Sequence, residues 1–114
     1  MQKRWWMRSK SAMIDIDPAH RKLVESILRR EIPDLEVRVF GSRVLGKSKP
    51  YSDLDLVVIG ARQLPRYTLY RLRDEFEESE LPFRIDIVDW HRLSAEFQNA
   101  ISPQSEVIYS GIPQ

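Results

Sequence analysis

Two rhythms of apolar and polar residues run along this chain. Leu23, Val24, Ile27 and Leu28 recur at the spacing of one helix face. Asp17 and Pro18 stand just ahead of them as N-cap and first helical residue, and Pro33 closes the element. Leu35, Val37 and Val39 then alternate with Glu36 and Arg38, the period of a strand ending at Phe40. Ser42 is expected to cap a short helix, SRVLGK, stopped by Gly46. A basic loop, KSKPYS, leads to a second strand from Leu54 to Ile59. Gly60 to Pro65 is a connection, and Tyr67 to Ser79 is the next helix, with Leu69, Leu72 and Phe76 inward and Tyr70 a further candidate for that face. Leu81-Pro82 ends it. A third strand is expected over Phe83 to Trp90. A helix follows from Leu93 to Ile101, with Leu93, Phe97, Ala100 and Ile101 on one side, and a short strand at Val107-Ile108-Tyr109. This order predicts an α/β (α+β) layer structure: a mixed sheet of three or four strands, with helices mainly on one side.

Length and charge narrow the possibilities. The 114 residues suit one domain, expected over residues 15–114. There are no cysteines, which excludes disulfides and thiolate zinc sites and fits the cytoplasm. A net charge of +1 predicts no strong bulk attraction to nucleic acid. No apolar run approaches the roughly 20 residues of a membrane span. The opening MQKRWWMRSKSAM is basic, and its apolar Trp5-Trp6-Met7 is too short for a signal-peptide core. Residues 1–14 are expected to form a flexible extension or a tail packed on a partner, with a basic anchor for RNA or lipid as the lesser alternative.

The chemistry concentrates in FGSRVLGKSKPYSDLDLVV, Phe40 to Val58. Asp53 and Asp55 are two strand steps apart, so they point the same way, roughly 6–7 Å from each other. At an effective dielectric near 20 their repulsion is on the order of 3 kcal/mol. A hard cation such as Mg²⁺ would relieve it. Gly41 and Ser42 sit where a strand hands over to a helix. There unpaired N–H groups suit a phosphate, and glycine permits close approach. Arg43, Lys47 and Lys49 follow as candidates to meet a triphosphate. Each feature also has an ordinary reading: Gly-Ser as a cap, the charges as a solvated face, Ser52-Asp53 as the end of a turn.

Taken together, a Gly-Ser turn, a short helix and Ser-Asp-x-Asp-Leu opening an apolar strand resemble the nucleotidyltransferase signature of the DNA polymerase β superfamily. Within it the chain is similar to the minimal nucleotidyltransferases (MNT), over roughly Asp17 to Trp90. The resemblance implies the nucleotidyltransferase fold and a third carboxylate on a neighbouring strand. FRIDIVDW offers Asp86 and Asp89. The family pattern and strand parity both select Asp86, and Asp89 is expected to cap the strand end or face solvent. The implied chemistry is two-metal nucleotidyl transfer from ATP. One Mg²⁺ would sit on Asp53 and Asp55 with the triphosphate. A second, shared with Asp86, would activate an acceptor hydroxyl, and Asp86 is also a candidate general base. His20 and His91 are expected to be surface or structural residues.

The acceptor is not written in these motifs. Larger superfamily members carry an additional domain that grips it; here the surface is expected to be borrowed or shallow. Small MNT proteins resemble the antitoxin half of toxin–antitoxin modules whose helical HEPN partner is often an RNase. The resemblance implies transfer of AMP from ATP to a tyrosine of that partner. Trp5, Trp6, Tyr67 and Trp90 are then candidate interface anchors. A small-molecule, aminoglycoside-type adenylyltransferase is the main alternative and requires an acidic acceptor cleft. Asp74, Glu75, Glu77, Glu78 and Glu80 instead suggest a solvated face. A non-catalytic binding antitoxin is the third reading, against which the cost of keeping mutually repelling carboxylates argues. Template-directed polymerisation is the least favoured.

Overall fold

The computed structural model describes residues 14–111; of the expected N-terminal extension, residues 1–13, with Trp5 and Trp6, lie outside them, and Ile14 packs against the core. Helix α1 (Pro18–Glu31) starts as expected, with the Asp17 side chain accepting from the Ala19 N–H at 2.9 Å and Pro18 in the first turn. Strand β1 (Glu36–Phe40) follows, then the single turn α2 (Ser42–Leu45), β2 (Leu54–Ile59), α3 (Arg66–Glu77) and β3 (Ile85–Asp89). A 3-10 turn (Trp90–Arg92), α4 (Ala95–Ile101) and β4 (Glu106–Ser110) complete the chain. The expected third strand is thus shorter at both ends, because Phe83 and Trp90 lie in the turns that flank it.

The four strands form one mixed sheet in the order β3-β2-β1-β4. β1 runs antiparallel to both β2 and β4, while β2 and β3 are parallel. The parallel pair requires a crossover, and α3 supplies it. Val37 and Val39 of β1, Leu54, Leu56 and Val58 of β2, and Ile87 of β3 meet Val24, Ile27 and Leu28 of α1 and Leu69, Leu72 and Phe76 of α3 in one core. Each fully buried aliphatic side chain contributes roughly 1.5–3 kcal/mol, so this layer dominates the stability. The opposite face carries Asp55, Val57 and Ile59 of β2. It is covered only in part, by Trp90 and Ile101 around a cavity of about 300 Å³ and by Phe97, whose ring meets Phe40 edge-on at 6.0 Å.

Two packing expectations need correction, and the alternatives for Asp89 are resolved. Tyr70 is 54% exposed, because it lies one residue off the Leu69-Leu72-Phe76 stripe and rotates out of the core. In α4 only Ile101 is buried; Phe97, despite its edge-on contact with Phe40, and Ala100 are exposed, since this short helix covers the sheet only in part. Asp89 does not face solvent: it is 2% exposed and accepts from the Leu64 N–H at 2.7 Å and the His91 N–H at 3.1 Å, so it caps the strand end. His91 is structural, with Nε2 2.7 Å from the Gly60 carbonyl, and the His20 ring packs edge-on against Phe83. Among the described residues, no helix is long and apolar enough to cross a membrane.

Candidate active site

Strand direction assembles the site. With β1 antiparallel to β2 and β3 parallel to it, the end of β1 and the starts of β2 and β3 meet at one edge of the sheet. Phe40 is in register with Asp55, and Asp55 with Asp86. The glycine turn after β1, Asp55 and Asp86 therefore stand in a row across three strands spaced about 4.8 Å apart. Gly41 has φ 84°, a region that strongly favours glycine, and a Cβ there would collide with Asp55 Oδ2 and lie 3.2 Å from its Cγ. The turn and the carboxylate are thus in direct contact, and the contact exists only because residue 41 has no side chain.

The acidic side chains feel one another. Asp55 is pushed up from the usual 3.8 to about 6 by its burial first, then by the negative charges of Asp86 and Asp53, with Arg84 opposing. Asp53 and Asp86 are exposed, and Asp53 Oδ2 lies 3.8 Å from Arg84 Nη2. Among the described residues no three such side chains are drawn into a formed metal cluster. The donor set nevertheless suits a hard cation: three carboxylates at one sheet edge, one of them held partly protonated near neutrality by the other two and by burial.

The phosphate candidates divide. Gly41, not Ser42, occupies the N-cap position; Ser42 is the first residue of α2, and its hydroxyl bonds to no described residue. The positive-φ turn at Gly41 starts the helix one residue earlier than a serine cap would. Gly46 ends it in the left-handed conformation, as expected. Lys47 and Lys49 are exposed on the following loop. Arg43 requires correction: it is only 5% exposed and its guanidinium is already engaged. Nε and Nη2 donate to the Ser52 carbonyl at 3.1 and 2.8 Å, Nη1 to Asp15 at 2.7 Å and Nη2 to Pro50 at 3.3 Å, while the group lies 4.3 Å from the Phe83 ring centre. It ties down the loop that delivers Asp53 and is not free for a triphosphate.

Residues beside the site escaped the sequence reading. Arg84, which approaches Asp53, has the same strand parity as Asp86, and that spacing was a usable signal. An open cleft of about 830 Å³ runs from Asp53 and Asp86 along α3, with Tyr51, Tyr70, Asp74 and Glu77 on its walls. Asp74 and Glu77 had suggested only a solvated face; no local pattern marks that α3 lies alongside the start of β3.

Known proteins are similar to this chain in sequence and fold. The family described as polymerase beta, nucleotidyltransferase matches residues 21–112. A Haemophilus influenzae protein named as a probable protein adenylyltransferase, MntA, is 43% identical over 90 residues, 79% of each chain. A toxin–antitoxin crystal structure with AMP-PNP contains a chain of similar fold, with a TM-score of 0.66 and 24% identity, covering 82% of this chain and 74% of that one. A tri-AMPylated Shewanella oneidensis HEPN toxin in complex with MNT antitoxin gives a TM-score of 0.57 and 25% identity, covering 79% and 72%. The sheet-edge carboxylates, the glycine turn and these similarities lead to one conclusion: the chain belongs to the polymerase β nucleotidyltransferase family and is a nucleotidyltransferase enzyme of the MntA-like, minimal type.

Proposed function

We propose that this chain is a Mg²⁺-dependent protein adenylyltransferase that moves AMP from ATP to a tyrosine hydroxyl of a helical HEPN-type partner and acts as its antitoxin. The reading rests on one observation above all: Gly41 lies against the Asp55 carboxylate with Asp86 alongside on the next strand. The similarity to MntA supports protein as the acceptor class. In this mechanism the Gly41 turn admits the triphosphate to the first N–H groups of α2, and the Ser42 hydroxyl donates to a phosphate oxygen. Asp53, Asp55 and Asp86 would hold the cations, two by this reading. Bound Mg²⁺ would neutralise the triphosphate and make the acceptor hydroxyl more acidic. Asp86, exposed at the sheet edge, takes the acceptor proton as the new bond from the tyrosine oxygen to the α-phosphorus forms. The bond from that phosphorus to the β-phosphate oxygen breaks, and pyrophosphate leaves. Positioning and charge carry the catalysis, with no covalent enzyme intermediate.

The test combines the purified chain, ATP labelled on the α-phosphate, Mg²⁺ and the HEPN-type product of the neighbouring gene. Label is expected on the partner, with Asp53→Ala or Asp55→Ala lowering transfer about a hundredfold or more. Retained transfer in either variant rejects this site. One observation favours a second reading: the cleft beside Asp53 and Asp86 has acidic walls, as an aminoglycoside-type acceptor would require. AMP transfer to a small cationic compound by this chain alone would support it.

A further inference from the structure

The acceptor oxygen must approach the α-phosphorus from the side opposite the leaving pyrophosphate, because the displacement is in line. The sheet order supplies two sides. The Gly41 turn lies at the β1 flank of Asp55, whereas the 830 Å³ cleft opens at the β3 flank, beyond Asp86 and against α3. A triphosphate at the glycine turn leaves the cleft to the acceptor. The cleft carries four carboxylates, Asp53, Asp74, Glu77 and Asp86, against Arg73 and Arg84. Arg84 leans to Asp53, and Arg73 Nη2 donates to the Ile87 carbonyl at 3.3 Å. Asp74 and Glu77 form no ion pair with any described residue. The surface also continues beyond the cleft: Tyr51 is 76% exposed, Tyr70 54% and Tyr67 67%, with Tyr67 one helical turn from Tyr70 on α3. Tyrosine is enriched at protein interfaces and, with tryptophan and arginine, among the residues that dominate binding there.

Resting on the proposed function, we propose that the cleft between α3 and the start of β3 is the acceptor site, and that it takes a basic segment of the partner protein. The acceptor hydroxyl sits at Asp86, lysine or arginine side chains of the segment meet Asp74 and Glu77, and Tyr70 and Tyr67 pack against its backbone and apolar atoms. A small cationic acceptor would use the cleft without reaching Tyr67.

Three variants of the full chain test this with the HEPN-type partner and labelled ATP: Asp74→Lys with Glu77→Lys, Asp74→Asn with Glu77→Gln, and Tyr67→Ala. Charge reversal is expected to lower kcat/KM for transfer by about tenfold or more and to weaken its dependence on salt, with the neutral pair intermediate. Tyr67→Ala is expected to lower it about fivefold. The rise in melting temperature with Mg²⁺ and AMP-PNP is expected to persist in all three, showing an intact fold and donor site. Wild-type kcat/KM and salt dependence in the charge-reversed variant overturn the inference while leaving the proposed function standing. Loss confined to the charge variants, with Tyr67→Ala unaffected and a small cationic compound modified, overturns the protein segment as occupant. Absence of transfer by the wild-type chain overturns the proposed function and this inference with it.

Discussion

Gly41 shows how a single missing side chain can make a site. Its positive φ and the Asp55 carboxylate both occupy conditions a Cβ would violate. Gly41→Ala should therefore act twice. The backbone strain costs about 1–3 kcal/mol, and the displaced carboxylate should lower AMP transfer by more than the stability loss explains. Thermal melting beside transfer rate separates the two; an alanine variant with wild-type values of both would remove Gly41 from the site. The glycine was legible in the sequence because Gly-Ser between an apolar run and a short helix is a recognisable turn. Its contact with Asp55 was not, since that depends on the register Phe40–Asp55 between strands 14 residues apart in the chain.

At the scale of elements, α2 and its following loop form one unit joined through Arg43. The guanidinium bonds to three carbonyls, of Asp15, Pro50 and Ser52, and thereby holds the chain immediately before Asp53. The Asp15 N–H returns a bond to the Arg43 carbonyl at 2.7 Å, and the Ser48 hydroxyl bonds the Asp15 side chain. Arg43→Met leaves those carbonyls without their donor and should cost about 3 kcal/mol. Loosening of Asp53 should raise the Mg²⁺ concentration needed for half-maximal transfer, with Arg43→Lys recovering part of each loss. Titration of transfer with Mg²⁺, alongside denaturant melts, checks this; an unchanged Mg²⁺ dependence would mean that the clamp does not govern Asp53. A basic residue four and six positions before two lysines had suggested a phosphate contact. Its burial follows instead from the loop folding back over α2, which residue type alone does not announce. Parity, by contrast, correctly separated Asp86 from Asp89: the first is exposed and the second buried, because side chains alternate along β3.

For the molecule as a whole, the crowded carboxylates link stability to pH and to metal. Asp55 is raised in the folded protein to about 6, whereas an unfolded chain releases it from its ordinary 3.8. The folded state therefore binds that proton more tightly. The stability it contributes is complete below about pH 4 and is lost as pH rises through about 6. Metal-free protein should show an Asp55-dependent fall in melting temperature across that window, absent in Asp55→Asn. By the proposed function, Mg²⁺ with ATP would compete for the same oxygens and bind only the folded chain, so its stabilising effect should grow over the same rise in pH. A Mg-ATP shift independent of pH between about 5 and 7 would count against Asp55 as a ligand.

The linear order of residues was enough to establish the α/β class and the succession of its main elements, and to single out the three carboxylates proposed for the site. These follow from short-range rules: the 3.6 and 2.0 periods, turn residues beside glycine and proline, and alternation along a strand. Neighbourhood across the sheet was beyond those rules. That β2 lies between β1 and β3, that Gly41 touches Asp55, that Arg43 is consumed by carbonyls and that a cleft opens between α3 and Asp86 all arise from contacts between distant segments. Burial of the shared apolar core selects those contacts, and the polar groups at the sheet edge take the positions that the core leaves them.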